Sequence, residues 1–236
     1  MTAYVPTEPT TIIYPSSDGE PLAETSIHVD AIIAIITALR LYLEGQQAIV
    51  LSNQFFYFAE GFPRLRVAPD VMVIFDVVPG PRDNYKAWEE GQVPAVIFEI
   101  TSEGTREQDK VHKKTLYEQM GVREYWLFDP KGEWIEGQLQ GYRLRGEIYE
   151  SIIDGRSEPL ALRLQVEEQL LNFYREDTGE KLLVSEELAQ ALKQERQRAE
   201  QERQRAEQER QRAEQERQRA ERLAAQLRAA GIEPEE

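Results

Sequence analysis

The sequence predicts an α/β fold: a mixed β-sheet core flanked by helices, with an additional β-rich region and a long C-terminal helix. Three observations carry this expectation. An apolar helical run is followed by short runs of β-branched and aromatic residues. The middle of the chain alternates strand, loop, strand, helix and strand. The end is built from a charged seven-residue repeat. A length of 236 residues accommodates one sizeable domain and an appendage.

Residues 1–20 place Pro6, Pro9, Pro15 and Gly19 among Thr and Ser and read as an irregular N-terminal arm. From Glu24 to Tyr42, the residues Ile27, Ala31, Ile32, Ile35, Ile36, Leu39 and Leu41 form the inward side of a helix. QQAIVLSNQFFYFAEG (46–61) is strand-forming with a turn near Gly61, and VAPDVMVIFDVV (67–78) adds a neighbouring strand after Pro69. Gly80, Pro81 and Asn84 break the pattern, and the charged stretch 86–92 around Trp88 reads as loop. PAVIFEIT (94–101) is an apolar strand. A charged helix over 102–121 follows, with Val111, Leu116 and Met120 as its apolar contacts and Gly121 as its stop. VREYWLFDP (122–130) is a further strand, and the turns at Gly132, Gly137, Gly141 and Gly146 predict hairpins through to Tyr174. The expected divisions are an arm (1–20), a domain (21–184), a charged helix (185–230) and a short tail (231–236).

The repeat QERQRAE occurs four times, from Gln194 to Glu221, and each copy is neutral. The formal charge of -15 therefore divides into -14 for residues 1–193 and -1 for residues 222–236. The acidity resides in the globular part and argues against a general attraction to nucleic acid. Within the repeat, Arg196 and Glu200, like Arg198 and Glu202, are spaced to pair one turn apart. One seam reads Leu192, Ala199, Ala206, Ala213, Ala220, Leu227, but its companion reads Leu188, Glu195, Glu202, Glu209, Glu216, Leu223. A solvated single helix and a weak self-associating coil both fit. Gly231 and Pro234 end the element.

The absence of Cys excludes disulfides, thiolate zinc sites and cysteine nucleophiles, and two His offer little for an imidazole site. Any metal is expected to have oxygen ligands. No apolar run is long enough to span a membrane and no export signal opens the chain, so a cytoplasmic location is expected. No glycine fingerprint for ATP or NAD is present.

Asp70 begins one strand and Glu99 lies near the end of another. Carboxylates at adjacent strand ends suit a hard divalent cation, though the same placement serves a structural ion pair or strand cap. Asp109, Lys113 and Tyr117 recur at four-residue spacing and are expected on one helix face. There the Lys113 ammonium can position a water or meet phosphate charge, with Asp109 orienting it and Tyr117 bonding nearby. A plain helix-stabilising pair plus a packed Tyr is the alternative. Trp88, Tyr125 and Trp126 read as packing residues before base contacts, and His28 and His112 as surface or packing residues.

DGEPLAET (18–25), APD (68–70), FEITS (98–102), REQDKVHKKTLYEQMGVREYWLFDP (106–130) and LQGYRL (139–144) together resemble the PD-(D/E)XK nuclease superfamily. Within it they are similar to the Uma-two family of restriction-endonuclease-like proteins. The resemblance implies a restriction-endonuclease-like sheet and a DNA endonuclease dependent on Mg2+ or Mn2+. It makes Asp70 and Glu99 metal-binding acids, Glu24 an acid contributed by the first helix, and Lys113 the catalytic lysine. It also implies a homodimer. One departure stands out: Thr101 occupies the position where the superfamily places lysine, so the ammonium has to come from the following helix, with Lys110 and Lys114 as neighbours of Lys113. Ser102 is expected to cap the turn or bond near Glu99. The alternatives are a nuclease-like core without efficient cleavage and an interaction protein whose helix 185–230 recruits a helical partner.

Overall fold

The protein, seen in a computed structural model, is described over residues 12–19, 24–101 and 108–229. It divides into two compact units, residues 1–185 and 186–236. The first unit opens with α1 (Ser26–Tyr42), whose N-cap Thr25 accepts a hydrogen bond from the His28 backbone N–H at 3.3 Å. Ala31, Ile32, Ile35, Ala38 and Leu39 form its buried stripe, whereas Leu41, expected inward, is exposed at the end of the helix.

Strands β1 (Ala48–Leu51), β2 (Phe56–Tyr57), β3 (Arg66–Val67), β4 (Val71–Phe75) and β5 (Tyr85–Lys86) follow. The stretch expected to be loop contains a one-turn helix, α2 (Ala87–Glu90), which Gly91 ends in the left-handed region. Charged residues without apolar periodicity concealed it. After β6 (Val96–Ile100), a π-helical segment (Gln108–Lys113) runs into α3 (Lys114–Met120), and then β7 (Glu124–Phe128). Gly121, with φ 79°, closes α3, its N–H turning back to the Tyr117 and Glu118 carbonyls. Val111, expected as an apolar contact, lies on the solvent side of the π segment. The remaining strands are β8 (Leu139–Arg145), β9 (Ile148–Ile152), β10 (Arg156–Ser157), β11 (Leu162–Glu167) and β12 (Leu170–Arg175).

The central sheet has the order β1-β4-β6-β7-β8-β9. All its neighbours are antiparallel except β6 and β7. A parallel pair needs a crossover, and the π segment and α3 provide it. In the middle of the sheet, β6 is buried on both faces, which explains its lack of alternation. Val96, Phe98 and Ile100 face α1 and the sheet β10-β11-β12, packing with Ile35, Leu39, Leu162 and Phe173. Ile97 faces the opposite core, formed with Met72, Tyr117, Val122 and Tyr125 and covered by the small sheet β3-β2-β5. The edge strand β1 is blunted by Arg40, whose Nε and Nη2 donate to the Val50 carbonyl at 3.1 and 3.0 Å.

The second unit is α4 (Ser185–Ala229), about 65–70 Å long at 1.5 Å per residue. Each of Glu200, Glu207 and Glu214 accepts from the Gln four residues on, at 3.0–3.2 Å. In the last repeat, Arg217 lies 3.9 Å from Glu221, the pairing expected in every copy, and 3.1 Å from Glu214. Among the described residues no helix is long and apolar enough to cross a membrane.

Gly141 in β8 lies directly across from Trp126 in β7. A Cβ there would stand 2.6 Å from Trp126 Cε3, so the indole occupies the space that a side chain would need. Gly141→Ala is expected to lower the unfolding free energy by about 1–3 kcal/mol through overpacking, measured by urea denaturation. An unchanged midpoint would show that the indole moves aside freely.

Candidate nuclease site

Pro69 has no N–H to offer a ladder, so regular pairing of β4 begins after it, with Asp70 at the threshold. The antiparallel register of β4 and β6 aligns Val71 with Phe98. One further step sets Asp70 opposite Glu99. The alignment is pinned by the Ile100 N–H, which donates to Asp70 Oδ2 at 2.6 Å.

Glu99 is 1% exposed. Its side chain points away from α1, to the face covered by the crossover helix. There Tyr117 Oη donates to Oε1 at 2.7 Å and Lys113 Nζ lies 2.9 Å from Oε2. The i,i+4 expectation for Lys113 and Tyr117 is met across the junction between the π segment and α3, and both side chains converge on one carboxylate. π turns occur mostly as single-turn insertions and recur at functional sites. Here the π segment is the stretch of chain that ends on the lysine. Removing a carboxylate from water costs several kcal/mol unless it is paired and hydrogen-bonded, and Glu99 is both.

Glu24 precedes α1, and His28 lies one turn later with only 5% exposure. His28 Nδ1 is 3.5 Å from Glu24 Oε2, and Nε2 is 3.5 Å from Asp70 Oδ1. Burial opposes a charged imidazole, but the approach of Asp70 and the charges of Asp70, Glu24 and Glu99 outweigh it and raise its pKa above the ordinary histidine value. His28, expected as a surface or packing residue, is buried, and its ring lies between oxygens of two of the acids. Its signal in the sequence was the four-residue spacing from Glu24, which a search for imidazole-rich motifs passes over. His112, by contrast, is exposed.

Thr101 follows β6 with its N–H bonded to the Phe128 carbonyl at 2.7 Å. Its buried Oγ1 has no hydrogen-bond partner among the described residues. Ser102 lies outside the described residues, as do the side chains of Asp109 and Lys110. Lys114 points elsewhere, with Nζ 3.9 Å from the centre of the Tyr142 ring. Tyr125 and Trp126 are core residues, and Trp88 packs beside Tyr14 at 5.2 Å between ring centres.

Two further buried acids serve the fold. Glu124 pairs with Arg143 at 2.8 Å and accepts from Trp126 Nε1 and the Glu158 N–H. Asp129 accepts the N–H groups of Gly132, Trp134 and Ile135, which organise its loop. Among the described residues, no three His, Asp or Glu side chains form a ready cage for a metal ion.

Lys113→Met is expected to cost about 3–5 kcal/mol of stability, because it strips a buried carboxylate of its counter-charge, measured by urea unfolding without added metal. A loss below about 1 kcal/mol, the range of exposed pairs, would show that Glu99 is held by other means.

A family model described as "Uma2: Putative restriction endonuclease" matches residues 4–170. Among solved structures, a "putative nuclease belonging to DUF820" from Anabaena variabilis is 17% identical, with a TM-score of 0.44, over 65% of this chain and 87% of that one. No curated protein matches. With more than half of its length covered by the family model, the chain belongs to the Uma2 family, and its mixed sheet between helices is of the restriction-endonuclease-like type.

Proposed function

We propose that this protein is a divalent-cation-dependent endonuclease that hydrolyses phosphodiester bonds in DNA. The observation that carries the reading is the buried Glu99 carboxylate bonded to Lys113 and Tyr117, opposite Asp70 at the same end of the sheet. A buried ion pair contributes little to stability compared with apolar residues of the same size. Retaining one beside a second carboxylate points to chemistry. Asp70 and Glu99 supply hard oxygen donors, and Glu24 lies on the other side of the His28 ring from Asp70. Mg2+ keeps several waters and takes one or two carboxylates plus substrate phosphates, a demand that two carboxylates at one sheet end can meet. Mn2+ suits the same oxygen donors.

Hydrolysis forms a bond from a water oxygen to phosphorus and breaks one ester P–O bond. The water gives up a proton and the departing oxygen gains one. A bound divalent cation supplies charge stabilisation on the phosphoryl oxygens and lowers the pKa of a coordinated water. The chain's own groups do the rest. Tyr117 and Lys113 hold the two oxygens of Glu99, and the Ile100 N–H holds one oxygen of Asp70, so the carboxylates are partly oriented before any cation arrives. The Lys113 ammonium, held by Glu99, places a proton donor and positive charge where phosphate oxygens or the attacking water would lie. The charge of -14 on residues 1–193 means that DNA approaches through a localised positive surface, cation neutralisation or a partner.

A second reading, an interaction module acting through a helical partner or a second copy, draws on α4, whose described repeat side chains lie in solvent. It predicts association that disappears with residues 194–221 and no cleavage.

Purified full-length protein is expected to cleave plasmid DNA with Mg2+ or Mn2+, to stop on addition of chelator, and to slow as ionic strength rises. Asp70→Asn, Glu99→Gln and Lys113→Gln are each expected to reduce the rate by at least roughly 100-fold, as loss of one preorganised electrostatic group commonly does. Circular dichroism checks the fold of each variant. Cleavage that persists undiminished in both Glu99→Gln and Lys113→Gln would rule out this site.

A further inference from the structure

Buried polar atoms almost always find hydrogen-bond partners, so a buried ring with two uncommitted nitrogens calls for a reason. His28 is such a ring. Neither Nδ1 nor Nε2 closes a hydrogen bond among the described residues, although each faces a carboxylate oxygen at 3.5 Å. The ring does not wander to this place. The Thr25 cap fixes its backbone in the first turn of α1, and the stripe beginning at Ala31 anchors that helix on the sheet. The two carboxylates belong to different elements, Glu24 to the approach to α1 and Asp70 to the threshold of β4. Asp70 is gripped at Oδ2 by the Ile100 N–H, and Oδ1 is the oxygen that His28 faces.

A carboxylate held at one oxygen still turns about its Cβ–Cγ bond, whereas one held at both has a fixed plane. We propose that His28 is a positioning residue for the cation site, its Nε2 setting the plane of Asp70 through Oδ1 and its Nδ1 holding Glu24 beside the strand ends. The role rests on the assignment of Asp70 as a cation ligand and extends it to a residue outside the expected set. Groups that orient metal ligands typically change metal affinity by about 10–100-fold when replaced.

The test is calorimetric titration of the full-length protein with Mn2+ alone, without nucleic acid, alongside metal-free thermal unfolding. Gln places an amide nitrogen near the position of Nε2, whereas Asn reaches only as far as Nδ1. His28→Asn and His28→Leu are therefore expected to weaken Mn2+ binding about 10–100-fold, while His28→Gln recovers most of the affinity. A merely packing role would lower the thermal midpoint of these variants and leave the affinity of the folded protein unmoved, which overturns the proposal. If His28→Leu fails to fold, the Gln and Asn variants decide. Asp70→Asn separates the two levels. If it binds Mn2+ like the wild type, the cation site itself is misassigned and the role of His28 falls with it. If Asp70→Asn loses binding and His28→Asn keeps it, only the positioning role is overturned.

Discussion

The need to bury the Glu99 charge organises this end of the molecule. β6 is covered on both faces, and an acid in its fourth position is stable only if counter-charge and hydrogen bonds are brought to it. The crossover helix brings both, presenting Lys113 and Tyr117 one turn apart. The crossover that allows β6 and β7 to run parallel is thus also what makes Glu99 tolerable. Placement of α3 is constrained twice, by the packing of Tyr117 and Val122 on the sheet and by the ion pair at its start.

How far the sequence reveals this depends on which interactions are local. β6 is legible because a doubly covered strand is a short continuous apolar run, and Asp70 because Pro69 delays the strand that follows. The junction of Lys113 and Tyr117 is legible from four-residue spacing. The π segment is not, since a change from i→i+4 to i→i+5 bonding leaves no composition signal in six residues that are all charged or polar except Val111. Nor is α2, a single turn whose Glu89 and Glu90 read equally well as loop. The approach of His28 to Asp70 is not legible either, because the two lie 42 positions apart in the chain. Gly141 escaped for the same reason: its lack of a side chain is explained by Trp126 across the ladder.

The distribution of charge follows a similar division of labour. The repeats of α4 contribute no net charge, and their Gln and Arg side chains are engaged with Glu one turn away. Such local pairs each support a helix by a few tenths of a kcal/mol, which over a long element sustains helix without a core. The excess acidity stays with residues 1–185, where the buried and partly buried acids separate into two kinds. Glu124 and Asp129 are tied up by Arg143 and by loop amides, so they cross-link the fold. Asp70 and Glu99 each hold a structural bond while sharing one end of the sheet.

Thr101 explains why the lysine arrives from a helix. Residue 101 lies two positions beyond Glu99 and so projects toward the same side of the strand. Its backbone is tied to β7 through the Phe128 carbonyl, and its hydroxyl carries no charge to set against Glu99. The long stem of Lys113 brings the ammonium from the crossover instead. The consequence is a coupling between folding and chemistry. An ammonium carried by the strand is in place once the strand pairs, whereas Lys113 reaches Glu99 only when the π segment and α3 have formed and docked. Anything that loosens the crossover therefore removes the lysine from the acids before it disturbs the sheet that carries them.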